Sequence, residues 1–194
     1  MIRVIAGKHG GARLSVPGSG TRPTAERVRE AVFSTLTSAG LTDSVRVADL
    51  CAGSGALGLE AYSRGARRVD LVDSRRAASR ACQDNARRLG AGEAVRVHTM
   101  EALTFLRSGA RAGSYDIIFL DPPYAQTERI VVGALEQIAA GEIVEPDGLV
   151  VIEHACGIEL SLPAPFTAWR TRRYGDSAII YAELGAGAPT GADD

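Results

Sequence analysis

From Val45 onward, short apolar runs alternate with longer segments in which apolar residues recur every three or four positions. The short runs predict buried strands, and the recurring pattern predicts helices. The predicted elements span residues 45–50, 56–64, 68–73, 75–89, 94–99, 102–108, 115–120, 128–140 and 149–154. Because strands that alternate with helices form parallel sheets covered on both faces, the expected fold class is α/β with a doubly wound sheet. Ligands of such sheets bind at the carboxyl ends of the strands.

The last part of the chain departs from this alternation. Phe166–Tyr174 and Ser177–Glu183 are strand-like runs joined by Gly175 and Asp176, a two-residue turn signal. We therefore predict a C-terminal antiparallel hairpin on the mostly parallel sheet. Residues 185–194 are small and polar, and we expect them to form a disordered tail.

Two further elements are predicted before Val45. A Gly-rich hairpin is expected from Arg3 to Val16, and Thr24 is expected to cap a helix. The apolar stripe of that helix consists of Ala25, Val28, Ala31, Val32 and Leu36, which leaves Arg27 and Arg29 off the buried face. The predicted domains are a hairpin-and-helix extension at residues 1–40, a core at 41–184 and the tail at 185–194.

The charge of the chain is balanced overall but uneven along its length. The 194 residues carry a net charge of −1, which gives no global sign of a nucleic-acid-binding protein. Residues 1–40, however, contain six basic and two acidic residues. The basic residues are Arg3, Lys8, Arg13, Arg22, Arg27 and Arg29. Such a segment is typical of an arm that binds a polyanion, and the alternative is an ordinary solvated surface.

Composition argues against several other classes of protein. The hydrophobic content of 45% is enough for a sizeable core. Cys51, Cys82 and Cys156 form no paired or C-x-x-C pattern, so neither a disulfide framework nor a metal site is predicted. The chain has no apolar run of membrane-spanning length, and its N-terminus lacks the apolar region of a secretory signal. The expected location is the cytoplasm, without membrane association.

The glycines after the first strand of the alternation indicate a ligand-binding turn. Asp49 precedes the run Cys51-Ala52-Gly53-Ser54-Gly55, which leads into a predicted helix, and Asp73 ends the next strand. Backbone N–H groups and a helix N-terminus can approach a ligand closely at such a turn. The G-x-G-x-x-G pattern also fits a dinucleotide site, although there the glycines usually follow the strand directly. No Gly-Lys-Ser/Thr follows, which excludes a Walker phosphate loop.

The residues Asp121-Pro122-Pro123-Tyr124 follow the apolar run Ile117–Leu120 and should project from the end of a buried strand. The Asp121 carboxylate and the Pro122 carbonyl can both accept hydrogen bonds from one amino group, and a tyrosine offers a face on which a base can stack. The motif therefore predicts a pocket for a planar amine. The alternative is a proline-rich turn that merely ends the strand.

These motifs together resemble the bacterial small-subunit ribosomal RNA guanine-N2 methyltransferases, a family of class I S-adenosylmethionine-dependent methyltransferases. The matching segments are Arg3–Gly7, Thr21–Phe33, Asp49–Gly58 with its D-x-x-x-G-x-G spacing, Asp121–Tyr124 and Tyr174–Asp176. The resemblance covers residues 2–184. The chain differs from the family at Thr21, where leucine is commoner, and at Glu101, where an amide often stands.

The resemblance implies a Rossmann-like fold and S-adenosylmethionine as the cofactor. The cofactor-binding residues would be Asp49, Cys51, Ala52, Gly53, Ser54, Gly55, Asp73, Ser74, Glu101 and Ala102. Among these, the glycine loop would pass the methionine part and Asp73 would accept both ribose hydroxyls. Glu101 and Ala102 would lie against adenine, and the alternative for Glu101 is an exposed residue in a first helical turn.

The resemblance also implies methyl transfer to the N2 amine of a guanine in small-subunit ribosomal RNA, with no metal. Asp121, Pro122, Pro123 and Tyr124 would form the catalytic pocket, and the basic N-terminal residues would bind the RNA. The substrate would be naked RNA or RNA in an assembling ribosomal particle, and the enzyme would be a monomer. Amino-methyltransferases that act on DNA, on another RNA or on protein glutamine share the pocket motif and remain alternatives.

Overall fold

The computed structural model describes residues 2–17, 23–108 and 113–185, with the backbone alone for residues 23–25. Its strands are β1 (Ile2–Arg3), β2 (Arg13–Leu14), β3 (Arg46–Leu50), β4 (Arg68–Val72), β5 (Val95–His98), β6 (Tyr115–Leu120), β7 (Val144–Ala155), β8 (Phe166–Tyr174) and β9 (Ser177–Leu184). Its helices are α1 (Pro23–Ser38), α2 (Ala56–Ser63), α3 (Arg76–Arg88), α4 (Ala102–Ser108) and α5 (Thr127–Ala140). Arg22 and the predicted tail at 186–194 lie outside the described residues.

The central sheet has the strand order β5-β4-β3-β6-β7-β9-β8. Strands β3 to β7 pair in parallel, whereas β9 runs antiparallel between β7 and β8. From β3, the chain adds β4 and β5 on one side of the sheet and then crosses over to add β6 and β7 on the other side. Doubly wound sheets bind their ligands at this crossover point, here between β3 and β6. The α/β fold with a C-terminal antiparallel hairpin is therefore confirmed.

Two apolar clusters cover the two faces of the sheet. On one face, residues of α1, α2 and α3 such as Phe33, Leu59 and Cys82 are buried against Val47 and Phe119. On the other face, α4 and α5 contribute a second group. The sheet thus lies between two helical layers, and the inner parallel strands β3, β4 and β6 are largely buried, as their continuous apolar character predicts.

Most boundaries from Val45 onward agree with the predictions to within about one residue, and two other boundaries differ by more. Strand β7 spans Val144–Ala155 rather than 149–154, because Val144 pairs with Tyr115 before a register shift leads into the regular pairing from Leu149. The sequence Pro146-Asp147-Gly148 indicates a turn and conceals this early pairing. Helix α1 begins at Pro23, so the expected cap Thr24 lies inside the first turn. Proline suits that first position because its missing N–H would have no helical partner.

The N-terminal segment is bound to the core through helix α2. The backbone N–H groups of Ile5 and Ala6 donate to the two carboxylate oxygens of Glu60 at 2.6 and 3.0 Å. The Ser63 hydroxyl donates to the Ala6 carbonyl at 2.6 Å. Val4 and Leu14 are buried in the same apolar cluster as α1 and α2. The segment therefore contributes to the core, although its strands are only two residues long. No helix among the described residues is both long and apolar enough to span a bilayer.

Candidate active site

A cleft of about 640 Å³ opens at the carboxyl ends of β3, β4 and β6. It contains nearly all of the predicted cofactor-binding and catalytic residues. On the glycine-loop side these are Asp49, Cys51, Ala52, Gly53, Ser54, Asp73, Ser74, Glu101 and Ala102, and at the proline motif they are Asp121, Pro122, Pro123 and Tyr124. Gly55 is the exception, because it lies against Leu71 and Cys82 beneath the loop and not on the cleft wall. The geometry thus brings the glycine loop and the proline motif together in the lining of one cavity.

The glycine loop owes its shape to three left-handed residues. Cys51, Gly53 and Gly55 have φ values of 72°, 59° and 78°. Glycine adopts this region readily, whereas a cysteine there is uncommon and marks a tightly constrained turn. The turn leads directly into α2, and Asp49 Oδ2 accepts a hydrogen bond from the Gly58 N–H at 2.9 Å. That bond holds the start of α2 against the end of β3.

The Asp49 carboxyl group has an unsatisfied oxygen. Its Oδ1 atom is buried and has no hydrogen-bond partner among the described residues. Burial raises the pKa of Asp49 to about 7, the Gly58 N–H opposes this rise, and the negative charge of Asp73 adds to it. A buried acceptor without a partner is costly, so this oxygen is suited to receive a donor from a ligand in the cleft.

Asp73 connects the end of β4 to the glycine loop. Its Oδ2 atom accepts from the Gly53 N–H at 2.9 Å, and its Oδ1 atom accepts from the Arg75 N–H at the same distance. The Arg75 guanidinium also contacts this carboxylate at 3.2 Å but is mostly exposed. The two backbone N–H groups fix the orientation of Asp73, and a ligand hydroxyl can bind its carboxylate by replacing the exposed Arg75 guanidinium, which donates to both oxygens at 3.2 and 3.3 Å.

Asp121 stands at the end of β6 with its side chain facing the cleft. Its side chain is exposed to the cleft, and the pKa of Asp121 is raised by desolvation from the neighbouring protein atoms first and then by the negative charges of Glu153 and Asp49. Tyr124, which is 44% exposed, opens a short 3-10 turn at Tyr124–Gln126. The Pro123 carbonyl closes this turn by accepting from the Gln126 N–H at 2.8 Å. A carboxyl group of raised pKa thus lies beside an accessible aromatic ring.

The Cys51 thiol also lies on the cleft wall. Burial raises the pKa of Cys51 to about 12, and the charges of Asp73, Asp49 and Asp121 act in the same direction. A thiol with such a pKa remains protonated near neutral pH and is a poor nucleophile. Chemistry through a covalent cysteine adduct is therefore disfavoured at this site.

Four charged residues that line the cleft, Arg29, Arg75, Arg129 and Glu153, were not predicted as cofactor-binding or catalytic residues. Glu153 follows the apolar run Leu149–Ile152 of β7 and lines the cleft beside Asp121. The sequence pattern that located Asp121, an acidic residue directly after the apolar run Ile117–Leu120, is also present at Glu153. Arg29 was predicted to bind RNA at the surface, and this prediction of exposure is wrong.

The guanidinium of Arg29 is only 4% exposed and lies on the inner wall of the cleft. Its Nη2 atom donates to the Arg3 carbonyl at 2.5 Å, and its Nε atom is 3.9 Å from the Glu60 carboxylate. Burial lowers the pKa of Arg29 and Glu60 opposes this shift. Nε has no hydrogen-bond partner among the described residues. Arg29 is buried because Glu60 compensates its charge, which the helical pattern of α1 alone does not reveal.

The other predicted RNA-binding residues are at the surface. Lys8, Arg13 and Arg27 are exposed, and Arg3 is exposed while pairing with Glu26 at 2.9 Å. Arg22 lies outside the described residues. Whether these side chains contact RNA stays a prediction.

The sheet order, the glycine loop and the proline motif at the strand ends define a class I methyltransferase fold. Similar solved structures include Escherichia coli yhhF, described as a candidate methyltransferase, with a TM-score of 0.82 and 31% identity over 95% of this chain and 98% of that one. The magnesium protoporphyrin IX methyltransferase of Synechocystis, solved with bound S-adenosylmethionine, has a TM-score of 0.63 at 19% identity over 87% of each chain and supports the fold alone.

Sequence comparison identifies the family. The chain belongs to the family described as Conserved hypothetical protein 95, whose sequence model matches residues 2–183. Ribosomal RNA small subunit methyltransferase D of Escherichia coli is 37% identical over 180 residues, which cover 89% of this chain and 83% of the relative. The protein of the same name from Haemophilus influenzae is 29% identical over 176 residues, covering 90% and 89% of the two chains.

Proposed function

We propose that this protein transfers a methyl group from S-adenosylmethionine to the exocyclic N2 amine of a guanine in small-subunit ribosomal RNA. The observation that carries the proposal is the shared cleft of the glycine loop and Asp121–Tyr124. Family membership and relatives named as methyltransferases of small-subunit ribosomal RNA support the same substrate. Since that RNA is made and assembled in the bacterial cytoplasm, the enzyme is expected to work there as a monomer.

The chemistry of the glycine-loop side fits the cofactor. S-adenosylmethionine has a charged amino group and a carboxylate at one end, a ribose in the middle and adenine at the other. Asp49 Oδ1 is a buried acceptor for the amino group, and the buried Nε of Arg29 is a donor for the carboxylate. Asp73 is the acceptor for the ribose hydroxyls. Glu101, exposed at the start of α4, is the acceptor for the adenine amine.

The proline motif supplies the groups that act on the base. When bound, S-adenosylmethionine provides an electrophilic methyl group on a sulfonium sulfur. Asp121 and the Pro122 carbonyl accept hydrogen bonds from the guanine amine, which favours the tetrahedral nitrogen of the transition state. As the N–C bond forms and the C–S bond breaks, the amine releases a proton. The raised pKa of Asp121 makes its carboxylate a suitable acceptor for that proton.

Tyr124 positions the base for this reaction. Its ring is 44% exposed beside Asp121, so an unpaired or flipped guanine can stack on it. Holding the amine close to the methyl group provides much of the rate, because orientation alone is worth effective molarities of about 10⁵ M or more.

Methyl transfer to defined RNA tests the proposal. Unmodified small-subunit RNA made by transcription is incubated with the purified protein and labelled S-adenosylmethionine, either naked or in reconstituted small-subunit particles. The RNA is then digested and its nucleosides are identified by mass spectrometry. We expect N2-methylguanosine at one position and no product with the Asp121→Ala variant.

Substrates of the other classes serve as controls in the same assay. DNA and total protein are incubated under identical conditions. Label in DNA or in protein glutamine, with none in either form of the RNA, would refute the proposed substrate while leaving the methyltransferase activity in place. The comparison of naked RNA with particles identifies the form on which the enzyme acts.

A further inference from the structure

The edge strand β8 (Phe166–Tyr174) has an unusual composition for a surface strand. It contains Trp169, Arg170, Arg172 and Arg173 and has no acidic residue. Most of its side chains are exposed, because β8 pairs only with β9 on one side. The proposed chemistry in the cleft does not use any of these residues. The strand therefore presents a row of positive charge at one edge of the sheet.

Part of this row lies next to the cleft. Arg172 is the register partner of Ile179 on β9, and Ile179 in turn pairs with Glu153 on β7. Direct cross-strand partners lie on the same face of a sheet with Cβ atoms about 5 Å apart. Ile179 and Glu153 both line the cleft. The side chain of Arg172 therefore begins one strand away from the cleft wall, and Arg170, two residues along, is on the same face.

Trp169 adds an aromatic surface to the same strand. It lies at a register shift between Ala168 and Arg170 and is 41% exposed. The Arg170 guanidinium lies 4.8 Å from the centre of its ring. Among the described residues, Trp169 and Tyr124 are the large hydrophobic side chains that remain exposed. Tyr124 already has a proposed role with the target base, whereas Trp169, whose ring also meets the Tyr181 ring edge-on at 6.0 Å between centres, has no role in the proposed chemistry.

Arg172 is available for an external partner. It forms no ion pair with any residue in the ranges that the structure describes. Arginines without an ion pair beside an exposed aromatic ring suit a single-stranded nucleic acid. Its phosphates contact the guanidinium groups, and its bases stack on rings or guanidinium planes. A simpler role is also available, since charges on an edge strand prevent sheet-to-sheet association.

We propose that Trp169, Arg170 and Arg172, here called the β8 surface, bind the RNA strand that flanks the target guanine. The inference rests on the proposed function and extends it, because it assigns an RNA-contact region on β8 in addition to the basic N-terminal residues. Phosphates contact Arg170 and Arg172, and an unpaired flanking base stacks on Trp169 or its paired guanidinium.

The test combines RNA binding with steady-state kinetics. The Arg170→Ala/Arg172→Ala double variant is compared with the wild type by filter binding of the small-subunit RNA over a series of salt concentrations. Loss of two phosphate contacts should reduce the slope of log affinity against log salt by roughly 1.4–1.8. The KM for RNA should rise, whereas kcat and the affinity for S-adenosylmethionine stay at wild-type values. Trp169→Ala should weaken RNA binding about five- to a hundredfold through lost stacking.

Arg87→Ala provides the matched control. Arg87 is an exposed arginine of α3, which packs against β4 and β5 at the other edge of the sheet. Its removal should leave the salt slope and the KM unchanged. If the double variant has the wild-type slope and KM, the β8 surface does not bind RNA. Self-association of that variant in light scattering would then show that the arginines prevent sheet-to-sheet association at the β8 edge. Because filter binding requires no turnover, this result is separate from a failure of the wild-type enzyme to methylate guanine.

Discussion

The buried carboxylate of Glu60 should decide whether the N-terminal segment stays on the core. Glu60 is fully buried and accepts hydrogen bonds from the Ile5 and Ala6 N–H groups at 2.6 and 3.0 Å and from Arg64 Nε at 2.7 Å. It also compensates the buried Arg29, whose Nε is 3.9 Å away. The Glu60→Ala variant leaves two N–H groups without their acceptor and Arg29 without its nearest negative charge.

The expected loss of stability is large. Removing one partner of a buried ion pair costs about 3–5 kcal/mol, and each buried N–H group left unsatisfied adds about 1–3 kcal/mol unless water reaches it. The loss of the ion pair alone, about 3–5 kcal/mol, is a large part of the roughly 5–15 kcal/mol that stabilises a domain. For a chain of this size, it corresponds to a fall in Tm of roughly 6–20 °C. Glu60→Gln, which keeps one acceptor oxygen, should lose less.

Thermal melting and hydrogen exchange measure the two consequences. Amide exchange at Ile5 and Ala6 should accelerate in Glu60→Ala even at temperatures where the central sheet remains protected. Glu136→Ala, at an exposed glutamate of α5, is the control and should change stability by no more than about 0.5 kcal/mol. A Glu60→Ala protein with the wild-type Tm and unchanged exchange at both amides would refute the reasoning.

Three further predictions concern the cleft. Asp73→Ala should weaken S-adenosylmethionine binding about ten- to a hundredfold, as measured by titration calorimetry, and unchanged affinity in a folded variant would exclude the ribose contact. Asp121→Ala should lower methyl transfer at least about a hundredfold while cofactor affinity stays within a few fold, and full activity would exclude its catalytic role. The pKa of Asp121 is raised by desolvation, Glu153 and Asp49, so activity that needs its carboxylate should be lost as the pH falls through this raised pKa. Glu153→Gln removes a negative charge, lowers that pKa and should shift the acidic limb of the kcat profile to lower pH, whereas an unmoved limb would mean that another group controls it.

The sequence predicted the central sheet well because its signals are local. Parallel strands buried on both faces consist of continuous apolar residues, and runs such as Ile117–Leu120 cannot be placed elsewhere in a soluble fold. The walls of the cleft follow from the same pattern, since a residue that ends such a run projects at the carboxyl edge of the sheet. Asp73 and Asp121 were located on this basis, and Glu153 could have been located in the same way.

The predictions that differ from the structure fail because of contacts between distant parts of the chain. The apolar periodicity of α1 assigns Arg29 to the solvent side of the helix. In the structure, Glu60 and the Arg3 carbonyl bind Arg29 inside the protein. These partners are respectively 31 and 26 residues away in sequence. The early start of β7 has a similar cause, because Val144 pairs with Tyr115 despite the turn-forming residues that follow it. Neither the compensation of a buried charge nor an irregular strand register can be read from local periodicity.

The arrangement of charge in the cleft explains how one protein can bind a polyanion and still use carboxylates for chemistry. Burial first and then the charge of Asp73 raise the pKa values of Asp49 and Cys51, so a phosphate is disfavoured among the carboxyl groups of the cleft. A cofactor with a sulfonium and an ammonium group is attracted to the same field. Exposed cations lie at the N-terminal segment, on β8 and beside the cleft, where Arg75 and Arg129 form part of the lining. RNA bound by its backbone at these outer surfaces can insert an uncharged base between the carboxylates while its phosphates remain at the rim.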